Sequence, residues 1–308
     1  MPRYFCSVAA ADRDEPVTGT ASRIDRWLLV EAPGPWSPRS LPHARGLPDV
    51  VLLDLQRRAA AFRARTLLIR RPGRGDPADA LAGSRRIFAA DSRPGHERLL
   101  CARVADLELA ELQLPFADGD VVPDRWWPVE RFVGVCTHGR HDPCCAVWGR
   151  PVATALARAL PEETWEVSHL GGDRFAGNVL LLPHGHYLGR VPAALAADVV
   201  AQVARGERPH LYYRGRSCYP MPAQAALALV AGRVERSELD GLVPRTVRRI
   251  GEREWAVILT ESPDTAGALR EWRVVVRRDR GAVARLTCTS AHEEATPLWR
   301  LVELAAIR

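Results

Sequence analysis

RFVGVCTHGRHDPCCAVWGRPVATALARAL, residues 131–160, decides the fold. RFVGVC (131–136) is apolar and of strand length, and CCAVWGRPVATALARAL carries an apolar face at helical spacing. THGRHDP connects the two, with Pro143 standing at the helix start. TWEVSH, NVLLLP and HYLGRV follow as short strand-like runs, and AALAADVVAQVAR (193–205) closes the segment as a helix. The order β-α-β-β-β-α predicts helices covering a mixed sheet.

The same order precedes it. RWLLVE (26–31) reads as a strand, APGPWSPRSLPHARGLP as a Pro-rich loop and DVVLLDLQRRAAAFRA as a helix. TLLIRR, RIFAAD and RLLCARV read as strands, and DLELAELQL as a closing helix. GERPHLYYRGRSCYPMPAQ leads to a helix near 223–232. Beyond 245, REWAVILT, REWRVVVR and VARLTCT read as three strands before a terminal helix. The expected fold is α/β: tandem β-α-β-β-β-α domains with a small C-terminal α+β piece. The expected boundaries are 1–125 for a domain without ligands, 126–240 for the ligand-bearing domain and 241–308 for the small region. A length of 308 residues suits more than one domain.

Composition narrows the chemistry. All 43 basic residues are arginine, which removes a pyridoxal Schiff base, a P-loop lysine and a side-chain amine nucleophile. The net charge of +6 is modest, and the runs RRPGRGD (70–76) and VVVRRDRG (274–281) are short, as solvated segments are. No clustered basic stripe with interleaved aromatics supports nucleic-acid binding. No stretch approaches the roughly 20 apolar residues of a membrane span, and MPRYFCSVAAADRDEP lacks a signal-peptide layout. The expected setting is cytoplasmic, away from the membrane. Seven irregularly spaced cysteines argue against a secreted disulfide framework and for reduced thiols.

Those thiols concentrate. Cys136, Cys144 and Cys145 fall within ten residues, and His169 and Asp173 stand four apart just downstream. A helix N-terminus stabilises a thiolate, and two thiolates brought together make a soft site for iron–sulfur or zinc. Side chains of adjacent residues diverge, so one of Cys144 and Cys145 is expected to be a bystander. Gly171 and Gly172 permit the positive φ of a tight ligand loop, and with Gly177 they allow backbone to approach a bulky group. Asp173 reads as a ligand, as a partner of Arg174 or as a support for His169. Cys6, Cys101, Cys218 and Cys288 read as small buried hydrophobes. His138, His141, His184 and His186 read as surface or hydrogen-bonding residues.

CTHGRHDPCC (136–145), SHLGGDRFAGNVLLLPHGHYLGRV (168–191), SCYPMPAQAA (217–226) and RWLLVEAPGPW (26–36) together resemble the sucrase/ferredoxin-like family, relatives of thioredoxin-like [2Fe-2S] ferredoxins. The resemblance implies thioredoxin-like domains and a [2Fe-2S] cluster held by two cysteines and two histidines. The cysteines map to Cys136 and Cys145, and the first histidine to His169. The second histidine position holds Asp173, leaving Asp173, Cys144, His138 and His141 as candidates for the fourth ligand. The implied function is electron transfer with mixed Cys/His ligation, serving a redox partner protein, rather than stand-alone catalysis. The alternatives are a thiol-based redox protein and a structural zinc module. No pair of positioned carboxylates singles itself out for glycoside hydrolysis.

Overall fold

Strand β1 (Arg26–Glu31) is buried almost throughout because it is sandwiched in its sheet, parallel to β2 (Ala64–Arg70) and antiparallel to β3 (Ser84–Asp91). The computed structural model of the chain describes residues 4–38, 46–73, 83–117, 122–234, 236, 238–261 and 270–307. RRPGRGD lies outside them from position 74 onward, as do residues 39–45 of the Pro-rich loop.

Helix α1 (Cys6–Asp12) precedes β1, and helix α2 (Asp49–Ala61) crosses over from β1 to β2. Strand β3 returns antiparallel beside β1, and β4 (Arg98–Ala105) lies beyond it. The second half repeats these connections. Strand β6 (Phe132–Cys136) runs through helix α3 (Pro143–Ala159) to parallel β7 (Thr164–Val167). Antiparallel β8 (Val179–Leu182) and β9 (His186–Leu188) follow on the other side of β6. The two halves meet where β2 pairs antiparallel with β7, matching Ile69 with Val167 and Arg70 with Glu166. With β5 (Trp127–Pro128) and β10 (Tyr213–Arg216) at its ends, the sheet has ten strands in the order β10-β9-β8-β6-β7-β2-β1-β3-β4-β5.

Side-chain alternation sorts the core. Leu28 and Val30 face α2 and pack with Leu52, Leu55 and Ala59. Trp27 and Leu29 face the other way, into a cluster holding Phe132, Trp165, Leu180, Cys136 and Cys145. Val133 and Val135 face Val152 and Leu156 of α3 and Val199 and Val200 of helix α4 (Ala196–Ala204). Helix α5 (Met221–Ala231) lays Ala223, Ala226, Leu227 and Val230 on a four-stranded antiparallel sheet. That sheet comprises β11 (Leu242–Arg249), β12 (Glu254–Glu261), β13 (Glu271–Ala284) and β14 (Glu294–Ala306).

Two expected helices form otherwise. DLELAELQL makes only a 3₁₀ turn at Asp106–Glu108. Arg58 Nη2 and Nη1 donate to the carbonyls of Leu109 and Leu112, at 2.9 and 2.6 Å, satisfying them in the non-helical turn. The C-terminal segment is strand β14, not a helix. Its Leu, Glu and Ala favour a helix in isolation, but pairing along fourteen-residue β13 overrides that preference. Trp299 and Leu301, two apart, consequently share one apolar cluster. VARLTCT is a strand only at its start, and Cys288 sits in the connection between β13 and β14. Strands β5, β10 and β11 and helix α1 were not expected. The architecture is mixed α/β.

Asp91 ends β3 almost fully buried, with Oδ2 at 3.0 Å from Arg26 Nε and 2.8 Å from Arg93 Nη2. Burial pushes its carboxyl up, but hydrogen bonds from Arg93 and Arg26 outweigh that and hold it below the usual range. Asp91→Asn is expected to cost about 3 kcal/mol, the lower end for breaking a buried pair. A depressed folded-state value means the stabilisation is complete above the unfolded value near about 4 and is lost as pH falls through the folded one. Denaturant melts of both proteins from pH 7 to 2 should therefore converge at the acid end.

Candidate metal centre

Cys136 is the last residue of β6, its N–H held by the carbonyl of Asn178 at 3.0 Å. The chain then turns through Thr137–Asp142, closed by the Asp142 N–H on the His138 carbonyl at 3.1 Å. Asp142 caps α3, accepting from the Cys144 N–H at 2.9 Å. Gly149 then lets α3 lie against the strand end. A Cβ there would come within 2.0 Å of the Cys136 carbonyl oxygen. A mid-helix glycine costs about 1 kcal/mol relative to alanine, and close approach is what it supplies here.

On the opposite side, the chain beyond β7 is fixed by Ser168, which donates its N–H to the Leu68 carbonyl and accepts from the Leu68 N–H. Arg65 donates to the carbonyls of His169 and Leu170, at 2.6 and 3.3 Å. Gly171 and Gly172 follow with φ of +94° and +77°, and the chain folds back so that Asp173 opens a 3₁₀ turn beside His169. Behind this turn lies Arg214, 1% exposed. It donates to the Gly171 carbonyl, the Asn178 side-chain oxygen and the Thr20 carbonyl at 2.9, 2.7 and 2.7 Å, and to the Thr20 hydroxyl at 3.1 Å.

Four side chains thereby meet. Cys136 and Cys145 are neighbouring thiols whose interaction holds the Cys136 thiol below its ordinary range and the Cys145 thiol above it. Cys145 Sγ lies 3.2 Å from Asp173 Oδ1, and His169 Nδ1 lies 3.0 Å from the same oxygen. Besides that ion-pair contact, the buried His169 Nδ1 has no hydrogen-bond partner among the described residues. Burial alone would raise the Asp173 carboxyl, but His169 and His141 keep it ionised. Burial would lower His169, and the Asp173 carboxylate overrides it, raising the value.

His141 also belongs here. Its ring centroid lies 3.7 Å from that of His169, and its Nε2 lies 3.6 Å from Asp173 Oδ2. Its Nδ1 is 3.0 Å from the Pro38 carbonyl, which can only accept. The ring therefore keeps its Nδ1 proton and turns Nε2 toward the site. His141, His169 and Asp173 each offer a ligand atom within 4.8 Å of the others.

Other candidates point elsewhere. His138 Nε2 lies 2.8 Å from the Ser37 carbonyl, and burial pushes the ring down to about 4. Cys144 Sγ lies 3.7 Å from Cys6 Sγ and 3.3 Å from Cys288 Sγ, on another face of the helix from Cys145. Gly171 and Gly172 turn their open sides to Ser22 and Arg214, and Gly177 lies against Val152 and the Trp148 carbonyl. Cys101 and Cys218 are buried singly, their thiols pushed up to about 12 by burial.

Pattern reading passed over Asp142, Gly149 and Arg214, and had His141 only as one of several candidates for the fourth ligand position. The only local signals were a glycine inside an otherwise helical run and an acid just before a helix-starting proline.

A buried thiol pair beside imidazole and carboxylate, at the end of strands in a mixed α/β sheet, is a donor set that could hold a metal ion. The chain belongs to the sucrase/ferredoxin-like family, whose sequence profile matches residues 17–258. Neither a curated protein nor a solved structure matches the chain.

Gly149→Ala should displace α3 from the end of β6, at about 1–3 kcal/mol for overpacking. Metal retained on purification should fall with it. Unchanged stability and metal content would remove Gly149 from the positioning of the centre.

Proposed function

We propose that this chain is an electron-transfer protein holding one [2Fe-2S] cluster through Cys136, Cys145, His169 and Asp173, on the second of two tandem thioredoxin-like units. The observation behind the reading is the contact of Cys145 and His169 with Asp173, with Cys136 beside Cys145, from separate segments of the family-matched region. The donors fall into two groups, as a two-iron cluster requires: a thiol pair, and an imidazole–carboxylate group. The buried His169 Nδ1, without a hydrogen-bond partner among the described residues and 3.0 Å from Asp173 Oδ1, is a nitrogen that a metal could take up together with that oxygen. The repeated β-α-β-β-β connections support the tandem reading.

A bound [2Fe-2S] group supplies one-electron chemistry, and replacing thiolate by imidazole raises its potential relative to all-cysteine ligation. The protein contributes the rest. Asn178 and Gly149 fix the backbone of Cys136, Asp142 fixes the start of α3, and Arg65 and Arg214 fix the His169–Asp173 turn. His141, oriented by Pro38, places a second imidazole beside Asp173 and supplements its negative oxygen. Electrons would pass to and from a partner protein in a reducing compartment such as the cytoplasm, where the seven free cysteines stay reduced. Among the described residues no helix is long and apolar enough to cross a membrane.

A thiol-based reading rests on the Cys136–Cys145 contact. Both thiols are at most 1% exposed, which opposes exchange with an outside disulfide.

Anaerobically purified protein should be red-brown, with about two irons and two acid-labile sulfides per chain. Cys136→Ser and Cys145→Ser should each abolish the colour, and Cys144→Ser should keep it. Colourless protein without sulfide would end the cluster reading and leave the thiol and structural-zinc ones.

A further inference from the structure

Three cysteines far apart in sequence come together at the N-terminus of α3. Cys6 comes from α1, Cys144 from the first turn of α3 and Cys288 from the connection between β13 and β14. Their Sγ atoms lie 3.7 Å (6–144), 3.3 Å (144–288) and 3.6 Å (6–288) apart. Asp142, fully buried, places its two carboxylate oxygens 3.7 and 3.9 Å from Cys6 Sγ. All four residues offer ligand atoms within 4.8 Å of one another.

We propose that Cys6, Cys144, Cys288 and Asp142 form a second metal site, binding one tetrahedral Zn²⁺ through three thiolates and one carboxylate oxygen. A tetrahedron with Zn–S of about 2.3 Å sets its sulfurs about 3.8 Å apart. The three observed separations approach that edge, and no pair is at the roughly 2 Å of a disulfide. Three thiolates with one oxygen suit zinc rather than the hard cations. A cluster of several irons would spread its sulfurs more widely than these.

The surroundings fit an anionic site. Cys6 N–H points at Cys288 Sγ at 3.3 Å, and the Ser7 hydroxyl donates to Cys144 Sγ at 3.1 Å. These donors and the α3 N-terminus offset the excess negative charge. The Cys144 and Cys288 N–H groups hold the Asp142 carboxylate at 2.9 and 2.7 Å, fixing its orientation. Cys288 is the one partly exposed ligand and gives the ion an access route.

The site is also separate from the family centre. Cys6 and Cys288 both fall outside the matched residues 17–258, and Cys144 is the surplus cysteine of the family motif. Zinc here would join α1, α3 and the β13–β14 connection, contributing folding free energy.

Zinc, iron and acid-labile sulfide are measured on one sample of the full chain grown with zinc, beside Cys6→Ser, Cys288→Ser and Cys136→Ser. The expected result is loss of about one zinc per chain in the first two, with iron and sulfide unchanged. Cys136→Ser should keep that zinc while losing iron and sulfide. Were the first centre itself to hold zinc, the difference of one between wild type and Cys288→Ser would remain. Equal zinc in wild type and Cys288→Ser overturns the site. Should the variants fail to fold, zinc-edge X-ray absorption on wild-type protein decides. Three sulfurs at about 2.3 Å with one oxygen support the site; fewer sulfurs, or no bound zinc, overturn it.

Discussion

The Asp142 carboxylate sets the phase of α3, and the arrangement of both cysteine groups depends on that phase. It accepts from the N–H groups of Cys144 and Cys288, so one side chain starts the helix and anchors the distant C-terminal connection. Successive helical residues point about 100° apart. Cys144 therefore turns toward Cys6 and Cys288, and Cys145 toward Cys136 and Asp173. Gly149, two turns on, lets the same helix lie against the carbonyl of Cys136. A vicinal pair that sequence logic treats as redundant is thereby divided between two environments.

The half of the sheet without clustered ligands supports the half that has them. The short β2–β7 pairing is reinforced by the Arg70–Glu166 ion pair at 2.6 Å, and Glu166 also accepts from the Thr137 hydroxyl just past Cys136. Arg65 and Leu68 of β2 hold the backbone of Ser168, His169 and Leu170. The ligand turn is consequently shaped from its back by side chains some hundred residues earlier in the chain.

Legibility followed locality. Strand β6, helix α3 and the His169–Asp173 turn were readable because apolar spacing, Pro143 and the paired glycines carry their signals within a few residues. DLELAELQL was misread because its apolar spacing looks helical, whereas its turn is held from outside by Arg58, some fifty residues away. The terminal strand was misread because its composition favours a helix until β13 offers a long partner. Cys6 and Cys288 each look like an ordinary buried cysteine. Their relation spans 282 residues, and no spacing rule reaches that far. His141 was one histidine among several in its loop, separated from His138 only by where Pro38 and Ser37 place their carbonyls.

Arg214 is fully buried beneath the ligand turn, yet among the described residues its hydrogen bonds go to neutral oxygens. Burial lowers its value only to about 10, so at neutral pH it remains a cation, with no carboxylate hydrogen-bonded to it among the described residues. Asp173 and Cys136 both feel that charge. In a poorly polarisable interior, such a fixed charge biases whatever sits in front of it toward the more negative of its states. The scaffold thus carries a built-in electrostatic preference, set by a residue that touches none of the candidate ligands' metal-facing atoms and cannot be neutralised by ordinary changes in acidity.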